Sequence, residues 1–581
     1  MIDHMLQTLA QFPLPVLAQT EATPAIIEKL RFVVPEIAVF IGACVVMMLG
    51  LSRKYAVRHA CRHVAIATLA VAGVLAVFFS PVMETSLLPN LSGFMKVMVA
   101  VIGILLAMLL NGVVDRGYES TVSKGATFDA IRSTGGEFYA FFLFSLMGLM
   151  LCATADDLIW LFLALELTSL PTYVMVSISG GSAKGEARAQ EAGVKYFFLG
   201  AFGAAMFVMG FALLYGAAGT TTLFGEGSIS EVLARNIAET GSIGPIATLG
   251  AVFAIVGISF KIAAVPMHFY TADVYQGAAT PVSAFLAFVP KAAGFIALML
   301  IVSTLGWSFG SDAGGALVAD HSGSLPEPIR VLLWVMAALT MIVGNVMALL
   351  QRSVKRILAY SSIAHSGYML VGLIAGPGNG TSGLSAVLFY LLCYGVMNLG
   401  AFGVIACLEY DKDGHQEEVE DIDDLRGLCR SRPLLGLTMV ICSLSLLGLP
   451  LLLGFMGKLF LFASGISAGE IVLVVIMAIN SAIAAYYYLR LAFFPMLESR
   501  SEDAEPMQTS PYTSRKVASV ISAVGVLALI PLTQTLWSHA DHAGTYTGIA
   551  TPAVVEQPSG EAPVLSVDPA REEPVAEISA R

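Results

Sequence analysis

The chain has 581 residues, of which 57% are hydrophobic and 13% charged. Few soluble proteins have that balance, and several apolar runs exceed the ~18 residues that mark a spanning helix, so composition points to a polytopic membrane protein. The formal net charge of -11 is concentrated in two places: residues 409–432 hold nine acidic and four basic side chains, and the stretch from Ser538 onward holds seven acidic and two basic. The membrane part is therefore near neutral, which argues against nucleic acid as a partner. The seven cysteines show no CxxC spacing and read as small buried hydrophobes rather than metal or cluster ligands. No basic n-region precedes an apolar core in the first 25 residues, so a cleaved signal peptide is not expected.

Taken in chain order, the apolar runs predict about fourteen transmembrane helices, at 33–51, 64–80, 94–114, 138–155, 158–178, 190–216, 243–276, 280–305, 328–350, 357–375, 383–408, 434–465, 470–496 and 516–536. The seventh and twelfth are interrupted by proline, at Val265-Pro266 and Leu449-Pro450, and are expected to be broken. Lysine and arginine alternate between the loops. Arg53, Lys54, Arg58 and Arg62, then Arg116, Lys124 and Arg132, and later Arg352, Lys355 and Arg356 fall on one side, whereas 81–93, 306–327 and 376–383 carry none. The rule that positive loops stay inside places these in the cytoplasm and both termini on the outer, periplasmic side. The run Asp411–Asp424 reads as a solvated acidic loop. From Ser538 to the end, a segment rich in Pro, Ala, Glu and Ser is expected to have no fixed fold.

An internal repeat is visible. Leu199-Gly200-Ala201-Phe202-Gly203 recurs as Leu399-Gly400-Ala401-Phe402-Gly403, and Glu166 and His365, like Lys261 and Lys458, are separated by nearly the same offset. The offset spans five helices, an odd number, so the two copies would lie inverted in the membrane. Inverted repeats with paired broken helices are a transporter pattern whose sites lie near the midplane.

Charged groups inside spans are costly and rarely kept without a partner or a wet path. Glu166 lies mid-span in the fifth helix, and Lys261, beside the first break, is its natural partner. In a low-dielectric interior the two hold each other charged, and separating them makes the lysine release its proton more readily. The bland reading is a protonated glutamate and a snorkelling lysine. Lys291, about three turns into the eighth helix, is too deep for easy snorkelling. Lys458 follows the second break. His365 sits beside Ser361, Ser362 and Ser366, and its ordinary pKa near ~6.5 suits a relay, although a membrane histidine is equally often a satisfied hydrogen-bonding residue. His268 is balanced in the same way. Lys195, nearer the cytoplasmic face, is as readily a snorkelling residue as a functional one. Tyr486, Tyr487 and Tyr488 read as packing and interface residues. No nucleotide loop, haem ligand pair or cysteine cluster accompanies this set, so the chain is expected to move charge without holding a redox centre.

The strings FKIAAVPMHFYTADVYQGAATPVSAFLAFVPK (260–291), LLQRSVKRILAYSSIAHSGYML (349–370) and LPLLLGFMGKLFLF (449–462) resemble the antiporter-like membrane subunits of respiratory complex I, NADH-quinone oxidoreductase, over roughly residues 30 to 536. The N-type branch is indicated by Lys458, where M-type subunits usually carry glutamate, and by the absence after Trp537 of a sequence fit for the long amphipathic helix of L-type subunits. The family implies an all-α fold of fourteen helices with two inverted five-helix units, spans four to eight and nine to thirteen, and broken helices seven and twelve. Together with the residue reading, this divides the chain into an N-terminal segment (1–32), three helices (33–137), the first repeat (138–305), the second repeat (328–496), a last helix (516–536) and the acidic tail (538–581). The resemblance also implies roles: Glu166 and Lys261 as the coupled pair, Lys291 as the connecting lysine, His365 on the polar axis and Lys458 as the outlet, with Lys195 added here to the proton pathway on its position. Two departures stand at the breaks. Ala272 replaces a usual proline, and Leu451-Leu452 replaces the usual Pro-Thr.

The expected function is proton translocation in the membrane arm of a bacterial inner-membrane complex, with other membrane-arm subunits and the lipid bilayer as partners. NADH, FMN, iron–sulfur clusters and quinone would lie in partner subunits, and no cofactor in this chain. A multi-subunit cation/proton antiporter without a redox partner shares these motifs and is the alternative. A purely structural spacer is the third reading, and it predicts that the buried lysines are individually dispensable.

Overall fold

The computed structural model describes Leu30 and residues 32–79, 86–123, 127, 129, 132–180, 183–307, 309–311, 317–319, 325–377, 380–412, 415–499 and 507–546. Its principal helices are α1 (Val34–Gly50), α2 (Tyr55–Phe79), α3 (Leu91–Leu109), α4 (Arg116–Ser123), α5 (Gly135–Cys152), α6 (Leu158–Ser177), α7 (Ala183–Ala218), α8 (Ile229–Thr240), α9 (Pro245–Ser259), α10 (Thr271–Gly277), α11 (Thr280–Leu305), α12 (Glu327–Leu349), α13 (Val354–Ala375), α14 (Gly383–Ala406), α15 (Pro433–Leu447), α16 (Leu453–Ser467), α17 (Ile471–Leu497), α18 (Thr513–Ala528) and α19 (Thr533–Ala543). Among the described residues ten helices are long and apolar enough to cross a membrane, or eleven if the bent pair α18 and α19 is one span. The molecule is a multi-pass helical membrane protein.

Burial sorts these helices. The most apolar stretches of α11, α13 and α14 are 100%, 100% and 94% buried, against 22% for α2. A helix that is apolar on every side is stable only when neighbours surround it, whereas a peripheral helix keeps one face for lipid. On α2 that outer face carries Val71, Val74, Val77 and Phe78, and on α17 Ile471, Val475 and Ile479. Lys291, Ser362 and His365 are thus carried by the central helices. Close crossings depend on glycine. A β-carbon on Gly257 of α9 would lie 2.4 Å from the Phe207 amide nitrogen of α7, so the two backbones meet there only because the side chain is absent.

Both expected breaks are present. α9 ends at Ser259 and the chain resumes as α10 at Thr271; α15 ends at Leu447 and resumes as α16 at Leu453. Each break holds one non-glycine residue in the left-handed region, Ala263 at φ 55° and Leu451 at φ 72°.

Three sequence expectations need correction. The last helix does not run straight over 516–536: α18 and α19 meet at 93°, and Pro531, which cannot continue the hydrogen-bond ladder, stands in the corner. Because α19 continues to Ala543, Ser538 is not the start of an unstructured tail; the tail beyond 546 and most of the segment 1–32 lie outside the described residues. The acidic run is not a loop free in solvent. Strands β3 (Leu408–Lys412) and β4 (His415–Glu418) pair antiparallel, β5 (Met507–Thr509) pairs on the other edge of β3, and a 3-10 turn over Ile422–Leu425 follows. Val419, Ile422 and Leu425 are fully buried there, and these apolar residues, interleaved with the acids, tie the segment down. The small sheet is the main departure from an all-α reading, beside a short pair β1 (Phe309–Ser311) and β2 (Leu317–Ala319).

Candidate functional site

Asp157 starts α6 by accepting hydrogen bonds from the backbone N–H of Ile159 and Trp160, a standard N-cap. This sets Glu166 about two turns inside the helix. Lys261 lies just past the end of α9, where the chain leaves helical geometry. Its Nζ is 3.3 Å from Glu166 Oε1, and the side chains are 2% and 18% exposed. The same ammonium donates to the Leu165 carbonyl at 3.4 Å and to the Ser169 hydroxyl, and lies 5.6 Å from the centroid of the Phe207 ring. A buried ammonium thus has one carboxylate, two neutral acceptors and one aromatic face.

Lys291 follows Pro290 within α11. Its Nζ donates to the carbonyl of Ser362 and, at 2.6 Å, to the Ser362 hydroxyl; the Tyr394 ring centroid is 5.1 Å away. One turn along α13, the Ser366 hydroxyl donates to the Ile262 carbonyl at 2.6 Å. The serine face of α13 therefore joins Lys291 to the break that carries Lys261.

His365, between those serines, is fully enclosed. Its Nδ1 is 2.6 Å from the Tyr390 hydroxyl and its Nε2 is 2.7 Å from the Tyr488 hydroxyl, which also bonds Ser361. A hydroxyl donates or accepts, so the imidazole can take a proton at one nitrogen and release one at the other. Lys458 on α16 reaches back across the second break and donates to the Leu447 carbonyl at 2.7 Å. It thereby sits at the carbonyl end of α15, where the helix dipole favours a cation. Tyr368 bridges the last two groups: its ring is 5.2 Å from Lys458 Nζ and 5.5 Å, edge to face, from His365.

The structure therefore gathers Glu166, Lys261, Lys291, His365 and Lys458 along one buried polar file. Lys195 is a correction. Its side chain is 45% exposed and paired with Glu191 at 2.8 Å and Asp273 at 3.5 Å, so it stands on the surface of α7, held by two carboxylates rather than sealed in an apolar helix. His268 lies against Phe269, whose side chain is largely exposed, with tilted rings and centroids 4.6 Å apart.

A sequence-family profile described as "NADH:quinone oxidoreductase/Mrp antiporter, TM" matches residues 155–484. The chain is 41% identical over 397 residues to NADH-quinone oxidoreductase subunit N of Trichlorobacter lovleyi, covering 68% of this chain and 74% of that one. It is 39% identical over 407 residues to the subunit N of Salinibacter ruber, covering 69% and 74%. The chain belongs to the NADH-quinone oxidoreductase subunit N family. A chain of the structure of respiratory complex I from Thermus thermophilus superposes with a TM-score of 0.66 at 30% identity, over 87% of this chain and 98% of the other. A chain of the Mrp complex from Dietzia superposes at 0.65 over 88% and 97%, but at 18% identity this likeness is one of fold alone.

All six candidate residues of this subunit N family member fall within the matched stretch. Sequence reasoning missed several others. Tyr488 belongs to the file through its hydroxyl, whereas Tyr486 is 59% exposed and fits the interface reading. Tyr487 donates to Asn345 Oδ1 at 2.9 Å, and Asn345 Nδ2 donates to the Tyr368 hydroxyl at 3.1 Å, which extends the polar network sideways. Lys96 and Glu36 form a buried ion pair at 3.0 Å between α3 and α1; the signal was one charge placed in each of two apolar helices.

Proposed function

We propose that this chain is a proton-translocating subunit of the membrane arm of NADH-quinone oxidoreductase, in the bacterial inner membrane. The observation that carries the reading is the buried file from Glu166–Lys261 through Lys291 and His365 to Lys458. NADH oxidation and quinone reduction, with FMN and iron–sulfur clusters, belong to partner subunits. This chain's part is the coupled movement of protons. Motion originating in the redox arm widens the gap between Glu166 and Lys261. At an effective dielectric of about 20, moving two unit charges from roughly 3 to 8 Å apart removes about 3 kcal/mol of attraction, so Lys261 gives up its proton more easily by that amount. The proton moves along the Ser366–Ser362 face toward Lys291, is relayed by His365 between its two tyrosine hydroxyls, and leaves from Lys458 to the outside. Closure of the pair reloads Lys261 from the cytoplasm.

Fourteen crossings, two inverted five-helix units at 138–305 and 328–496, and both termini on the periplasmic side complete the proposal. Supporting the count, α1, α9, α15 and α16 are shorter apolar helices; with α1, α9 and the broken pair α15–α16 each taken as one crossing, they bring the eleven long spans to fourteen. Supporting the inversion, each break carries a lysine beside it and one left-handed non-glycine residue within it.

The test is affinity purification of the tagged chain in mild detergent, assayed for NADH oxidation and for flavin and iron–sulfur absorbance. Co-purification of both is the expected result. Recovery with hydrophobic subunits alone, and no redox centres, would favour a cation/proton antiporter assembly.

A further inference from the structure

The N-terminus of α11, the helix carrying Lys291, has no cap from its own N-cap residue Ala279. A carboxylate from a distant strand does that work. Glu418, at the end of β4, accepts from the Thr280 N–H at 3.0 and 3.1 Å through its two oxygens and from the Thr280 hydroxyl at 2.6 Å. The same carboxylate meets Lys355 Nζ at 2.5 Å, and Lys355, its side chain 4% exposed, also donates to the Ala278 carbonyl at 3.0 Å. Lys355 is the second residue of α13, which carries Ser362 and His365. The chain beyond Glu418 is stitched to the same helix start: the Val354 N–H donates to the Glu420 carbonyl at 2.8 Å, and the Ile422 N–H to the Arg352 carbonyl at 3.0 Å.

Both charges sit where the helix termini favour them, the carboxylate on free N–H groups and the ammonium on a terminal carbonyl. The consequence is axial. Thr280 is eleven residues, about 16 Å, from Lys291 along α11, and Lys355 is seven residues, about 10 Å, from Ser362 along α13. Fixing both helix starts to one carboxylate fixes how far each helix extends past the other, and so fixes whether Lys291 Nζ meets the Ser362 carbonyl and hydroxyl.

We propose that Glu418 and Lys355 are positioning residues for proton transfer at Lys291: together they lock the α11 and α13 starts in the register that brings Lys291 onto Ser362. This rests on the pumping reading above and adds to it a device on the cytoplasmic loop, outside the buried file.

The experiment uses the whole complex in inverted membrane vesicles. It measures NADH-driven acidification per NADH oxidised, with NADH reduction of an artificial acceptor reporting the amount assembled. Glu418→Ala is expected to lower acidification per NADH at least about threefold at unchanged assembly, since small misplacements of transfer groups are costly. Glu418→Gln, which keeps an acceptor for Thr280, should retain more than half. In a Lys291→Ala background Glu418→Ala should add no further loss, because both act on one contact. Wild-type acidification in Glu418→Ala overturns the proposal, as does a loss that adds fully to that of Lys291→Ala, which would mark a scaffold role. If Glu418→Ala does not assemble, Thr280→Val and Glu418→Gln repeat the cycle with smaller changes. An unimpaired Lys291→Ala would instead overturn the pumping role of Lys291, and the positioning role with it.

Discussion

Lys261 and Lys195 are each paired with carboxylate, but one is 2% and the other 45% exposed. That difference decides what their removal does. Lys261→Ala strands Glu166 without its counter-charge in an apolar interior, and loss of one partner of a buried pair costs about 3–5 kcal/mol. We expect NADH-driven pumping to fall at least about tenfold in assembled complex, measured in inverted vesicles, with artificial-acceptor activity retained. Lys195→Ala removes solvent-screened surface pairs, which contribute little, and should leave pumping within about twofold of wild type. Tyr488→Phe removes the hydroxyl shared by His365 and Ser361 and leaves buried polar groups unpaired, at about 1–3 kcal/mol. It should lower both pumping and thermal stability, whereas Tyr486→Phe should change neither. At this scale the sequence marks the ionisable residues well, since charge in an apolar run is conspicuous. It does not separate Tyr488 from Tyr486: two residues apart on a helix, they face nearly opposite ways, and which hydroxyl meets a histidine depends on packing against α13.

The helix breaks are legible from Pro266 and Pro450, and the bend between α18 and α19 from Pro531, a signal hidden inside an apolar run long enough to span. The strain within the breaks is not legible. Ala263 and Leu451 occupy a conformation that costs a residue with a β-carbon about 1–2 kcal/mol. Leu451→Gly should therefore raise the melting temperature of the detergent-purified complex; its side chain is 84% exposed, so little packing is lost. Equally illegible is the fold of the acidic run, because beyond its own β3–β4 hairpin its partners lie on β5 and on helices far away in sequence. Burial pushes the Glu418 carboxyl upward, but the Lys355 charge and the hydrogen bonds from Lys355 and Thr280 outweigh it and hold it below its ordinary value of 4.5. A depressed carboxyl contributes stability that is fully present above the ordinary value and lost as pH falls through the folded one. Melting of wild type and Glu418→Gln should thus differ by a constant amount between about pH 6 and 8, and the difference should shrink only in acid.

Across the whole molecule, the almost wholly buried helices α11, α13 and α14 form the centre, and the helices with exposed apolar faces surround them. Hydropathy alone does not rank helices in this way, since a central and a lipid-facing span are both apolar, and only the contacts distinguish them. The basic-loop pattern does set the orientation expected here: a reporter enzyme active only outside the cytoplasm, fused after the last span, should be active, and one fused within the 409–432 segment should be silent. The buried lysines also differ in their company. Lys261 has Glu166, so at the first break a protonated lysine and its carboxylate make a dipole. Among the described residues Lys291 and Lys458 have only carbonyls, a hydroxyl and aromatic rings around them, with no carboxylate in ion-pair range. Each proton arriving there adds an uncompensated monopole to a low-dielectric core. A monopole's potential falls with distance, a dipole's with its square, so occupancy of either lysine is felt farther away than opening of the pair. In the proposed route, the stretch from Lys291 to Lys458 is thus better built than the Glu166–Lys261 pair to repel the next proton and drive the previous one outward.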